Sequence, residues 1–143
     1  MNSICVFELD NNKYYVTEFK NEVIQPIKEM IKNLVSDNDS DKIKSLLTQN
    51  LSVLISSLDW IKQNPIKTIM EMKENTSLEK IYINYVKEYG INNIRSDIFK
   101  DVELSESAVK KIQELLDNSN YPASVIIPLL DKEINKLKNT LKS

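Results

Sequence analysis

The chain has 143 residues, a net charge of −2, 41% hydrophobic and 28% charged residues, one cysteine and no histidine. A chain of this length fits one domain, burying roughly two thirds of the surface its unfolded form exposes. The composition excludes an intrachain disulfide, any Ser-His or Cys-His catalytic pair and the usual zinc ligand sets, so an enzyme built here would rely on carboxylates, Tyr, Lys or an oxygen-bound metal. No apolar run approaches the roughly 20 residues of a membrane span, and "MNSICVFELD" lacks the basic start of a signal peptide, so an intracellular, non-membrane protein is expected. With charge near neutral, strong nonspecific binding to phosphate backbones is not expected, although the lysines leave a local basic face open.

The first element, "SICVFELDNNKYYVTEF", alternates branched, aromatic and polar residues around a turn-forming "DNNK". This predicts a β-hairpin with strands near Ile4 to Leu9 and Tyr14 to Thr17, since Asn tolerates positive φ at little cost. From Glu22, the residues Val23, Ile27, Ile31 and Leu34 recur at helical spacing, with Pro26 read as lying in the first turn. The acidic run "SDNDSD" then reads as a solvated loop. Ile43, Leu47, Leu51, Leu54, Leu58 and Ile61 predict one long helix from about Asp41 to Ile61. "NPIKTIMEMKEN" reads as a third strand with one polar face.

"TSLEKIYINYVKEYG" restarts the helical period, with Thr76 or Ser77 as N-cap and Gly90 just past the helix end, where positive φ suits glycine. After an extended link through Ile98 and Phe99, Ser105 opens a helix carrying Val109, Ile112, Leu115 and Leu116. A last helix is expected from near Pro122 through Ile134, Leu137 and Leu141, with Lys132, Lys136, Lys138 and Lys142 along part of its surface. The fold class is α+β: a small antiparallel three-stranded sheet packed with about five helices, helix-rich in its C-terminal half.

Several short strings occur here in a particular order: "KYYV" on the second strand, "DWIKQNPIK" before the third, and "EYGINNIR" at a helix end, followed by an aromatic and a Leu-Ser-Glu helix start. In these the chain resembles the GIY-YIG-like nuclease domain proteins encoded by giant DNA viruses. The resemblance covers Ile4 to Val16 and about Trp60 to Leu116. It implies a single domain over 1–143, with a core over 1–100, a helical insertion at about 22–61 and a C-terminal helical extension over 101–143. It also implies a place in the virion or the infected host cell.

In that family two hairpin tyrosines flank the scissile phosphate, a helical arginine stabilises its developing charge, and a helical glutamate holds one divalent metal. Such chemistry needs prepositioned cations and an activated water. Here Cys5 stands at the first tyrosine position, Tyr15 keeps the second, and Thr17 stands at the glycine of the second motif. The helix after the hairpin holds no arginine, only Lys28 and Lys32, and lysine lacks the planar bidentate fork. Glu79 is the candidate metal carboxylate, Asn93 matches the family's asparagine, and Arg95 matches an arginine whose two following glycines are here Ser96 and Asp97.

Tyr15 and Glu79 are therefore read as vestigial catalytic candidates, and Arg95, Lys28 and Lys32 as candidate nucleic-acid contacts. Each of the singled-out residues also has a structural reading: strand packing for Tyr14 and Tyr15, a helix-dipole role for Glu79, an ion pair for Arg95, and core burial for Cys5. Tyr82, Tyr85 and Tyr89 share a helical face suited to core or partner contact. The implied function is a catalytically inactive scaffold acting as a structural or interaction protein, with no cofactor and with a protein partner or self-association. Two alternatives stand beside it: a nucleic-acid-associated protein that keeps the substrate groove, and an active endonuclease using Mg²⁺.

Overall fold

The computed structural model describes residues 2–35 and 39–118. The helix expected from Pro122, its four lysines and part of the "SDNDSD" run lie outside the described residues. Chain order is β1 (Ser3–Leu9), β2 (Lys13–Phe19), α1 (Asn21–Leu34), α2 (Ser40–Ser52), α3 (Asp59–Gln63), β3 (Ile66–Lys73), α4 (Leu78–Tyr89), β4 (Ile94–Ser96) and α5 (Glu106–Asp117). The α+β class stands, but the sheet differs from expectation. It has four strands in the order β3-β1-β2-β4, with β4 parallel to β2 and the other pairings antiparallel.

The hairpin forms where its turn chemistry dictates. Asn11 and Asn12 carry φ of 66° and 58°, a left-handed conformation that Asn reaches more easily than most residues. Pairing runs Ser3↔Phe19 through Leu9↔Lys13, longer than the expected strands. Alternate residues serve two cores. Ile4, Val6, Tyr14 and Val16 pack with Ile81, Tyr82, Val86 and Ile112 from α4 and α5. Cys5, Phe7, Leu9, Tyr15 and Phe19 pack with Ile24, Leu51, Trp60 and Ile61 from α1, α2 and α3. Both faces of the central strands are thus covered, each large apolar side chain contributing about 1.5–3 kcal/mol on burial.

Three helical expectations change. The expected 41–61 helix ends at Ser52, and a run of turns separates it from the short α3. Side chains compete for the carbonyls there: Ser52 Oγ donates to Gln49 O (3.3 Å) and Ser56 Oγ to Val53 O (3.2 Å). The backbone tightens to three-residue bonds such as Leu54 N to Leu51 O, leaving Val53 and Leu54 exposed. Pro26 is the sixth residue of α1, beyond the first turn, at a solvent-exposed position. Finally, the buried arc of α1 differs from the apolar set Val23, Ile27, Ile31 and Leu34: Ile24 and Ile31 are buried, while Val23 and Leu34 are exposed.

Strand β3 lies at a sheet edge. Two register shifts, between Val6 and Phe7 and between Glu8 and Leu9, break its pairing with β1. Thr48 of α2 accepts a hydrogen bond from the Ile69 N–H (3.0 Å), satisfying a backbone donor from outside the sheet. Bulges and such capping are how natural edges avoid pairing with other chains.

Candidate functional site

The stretch following α4 carries the residues that most resemble a site. Gly90 has φ 93° and ψ 150°, a region open essentially only to glycine. An added Cβ would meet nothing nearer than the Asn93 Nδ2 at 3.8 Å, so the constraint is backbone conformation and not space. Asn93 donates to Tyr89 O (2.7 Å) and accepts from Lys13 Nζ (2.6 Å), tying the end of α4 to the hairpin. The chain then enters β4, where Ile94 to Ser96 pair with Tyr14 to Val16.

Arg95 is 4% exposed. Its Nε donates to Asp101 O (2.7 Å), Nη1 to Ile91 O (2.8 Å) and Ile94 O (2.9 Å), and Nη2 to Val102 O (2.8 Å). The guanidinium lies 4.3 Å from the centre of the Trp60 ring, whose Nε1 donates to Tyr14 O (3.2 Å). Burial lowers the arginine's pKa, opposed by Tyr82 and Asp101. The expected readings, phosphate contact or ion pair, give way to a fork filled by backbone carbonyls. A phosphate would have to displace those carbonyls, of which that of Ile94 is buried.

Tyr15 is likewise engaged. Its hydroxyl donates to Asp97 Oδ1 (2.8 Å), Thr17 Oγ1 donates to Asp97 Oδ2 (3.0 Å), and the Glu18 N–H donates to the same oxygen (2.9 Å). Burial first, then the Asp97 charge and hydrogen bond, pushes the Tyr15 pKa up from its ordinary value. Thr17 and Asp97 both stand where the resembling family has glycine, and here they bind each other. A tyrosine held in this way presents neither a free hydroxyl nor an accessible phenolate.

The other candidates do not join it. Glu79 is exposed in the first turn of α4, a helix that packs on the sheet face opposite the one into which Tyr15 projects. Lys28 pairs with Glu74 at 3.2 Å, both side chains being over a third exposed, and Lys32 is exposed in the last turn of α1. Among the described residues no three acidic or cysteine side chains are grouped to hold a metal ion. Cys5 is fully buried, and desolvation raises its thiol pKa to about 12. The Tyr14 ring stacks on Tyr89 at 4.4 Å, and the Tyr85 hydroxyl donates to the Glu71 carboxylate.

Sequence reasoning misses the roles of Asp97 and Trp60. Asp97 reads there only as a lost glycine, yet it organises three donors; its signal is a carboxylate two residues past a buried strand position. Trp60 and Arg95 each occur once in the chain, and they meet face to face. Such Arg–aromatic stacking is favoured when desolvated.

Besides the exposed Val53, Leu54, Ile98 and Val109, the described surface has a depression and an apolar stripe on α1. A shallow depression is lined by Asn2, Glu18, Asn75, Thr76, Ser77 and Lys80, mixing one carboxylate with one ammonium. On α1, Val23 (39% exposed), Met30 (38%) and Leu34 (58%) face solvent, with Ile27 partly buried between them. Spaced four, three and four apart, these residues form one stripe beside the core-facing Ile24 and Ile31. No helix among the described residues is long and apolar enough to cross a membrane. Compared with protein-family models, curated proteins and solved structures, the chain matches none of them.

Proposed function

We propose that this protein is a noncatalytic interaction module on a GIY-YIG-like scaffold, acting through the apolar face of α1. The observation that carries the reading is the exposed stripe of Val23, Met30 and Leu34 on a helix whose other apolar residues are wholly or partly buried. Contiguous apolar surface on a folded domain marks an interaction site. The engagement of Tyr15 with Asp97 and of Arg95 with carbonyls supports the noncatalytic half. The strings "KYYV" and "EYGINNIR" support descent from viral nucleases of this kind, and with it a setting in the virion or the infected cell.

The test is incubation with plasmid DNA and Mg²⁺ or Mn²⁺, alongside a gel-shift titration in salt. No cleavage and no salt-sensitive retention are expected. Cleavage that is lost in Glu79→Ala and Tyr15→Phe would establish an enzyme and overturn the reading. Affinity for DNA falling steeply with salt would instead establish phosphate contacts.

A further inference from the structure

We draw no further inference here: the strongest candidate, the outward-facing apolar stripe of Val23, Met30 and Leu34 on α1, is an unpartnered helix face, and nothing in the structure shows what covers it.

Discussion

The corner around Arg95 and the outer face of α1 invert the usual distribution of side chains. The one arginine of the chain is buried against the one tryptophan, while three large apolar residues of α1 stand in water. At the first place polar groups are internal structure: four guanidinium hydrogen bonds fasten β4, the turn before it and residues 101–102 together. At the second, apolar surface that adds little to this core stays exposed. The buried arginine holds this fold together, and the apolar residues of that α1 face contribute little to it.

Arg95→Ala should be the most damaging change, costing about 3–5 kcal/mol because the buried guanidinium's four hydrogen bonds and its stacking on Trp60 are lost together. Urea denaturation measures it; Arg95→Lys should recover only part, since an ammonium cannot span carbonyls on both sides of the fork. An unchanged midpoint would mean that the arginine is dispensable to the fold. Asp97→Ala should follow, at about 2–3 kcal/mol, since it strands the Tyr15 and Thr17 hydroxyls and a backbone N–H. In a Tyr15→Phe background the same change should cost less, and a double-mutant cycle giving strict additivity would show that the two do not interact.

Raising the pH probes the same interior. Cys5 and Tyr82 have pKa values raised by burial to about 12, and burial with Asp97 raises that of Tyr15. All three are neutral in both folded and unfolded chains at pH 7, so their contribution is fully present there. Above their ordinary values of 9.0 and 10.0 the unfolded chain releases protons that the folded one keeps, and stability falls until the folded values are reached. Tyr15→Phe should make this alkaline decline shallower by about 1.4 kcal/mol per pH unit above the ordinary tyrosine value. Identical slopes for wild type and variant would place the Tyr15 hydroxyl in contact with water.

How much of this is legible in sequence depends on the range of the cause. The Asn turn, the Ser77 and Ser105 caps and the glycine at position 90 are local, and their residues announce them. Strand β4 has three residues and exists only through pairing with β2, Ile94 lying beside Tyr14, so no periodicity could mark it. The break after Ser52 is hidden by a long apolar stripe, although Ser52, Ser56 and Ser57 interrupt it. The α1 period is correctly helical but its buried arc is displaced: Ile24 and Ile31 point inward, and a stripe counted from Val23 looks equally good. For the site, the sequence marks Tyr15 and Arg95 as unusual, but what each binds is set by carbonyls and a carboxylate brought in by tertiary contact.

The smallest expected effect is the most exacting check on the contrast. Leu34 is 58% exposed at the last residue of α1 and belongs to neither apolar cluster of the described residues. Its removal from water on folding is slight, so Leu34→Lys should change unfolding free energy by no more than about 0.5 kcal/mol. A lysine there should be, if anything, mildly favourable, because a cation at a helix C-terminus meets the negative end of the dipole. This near-zero value would separate exposed surface from structural core. A loss of about 2 kcal/mol or more, on the order of a buried leucine, would instead mean that Leu34 is covered within its own chain and that the stripe is part of the core.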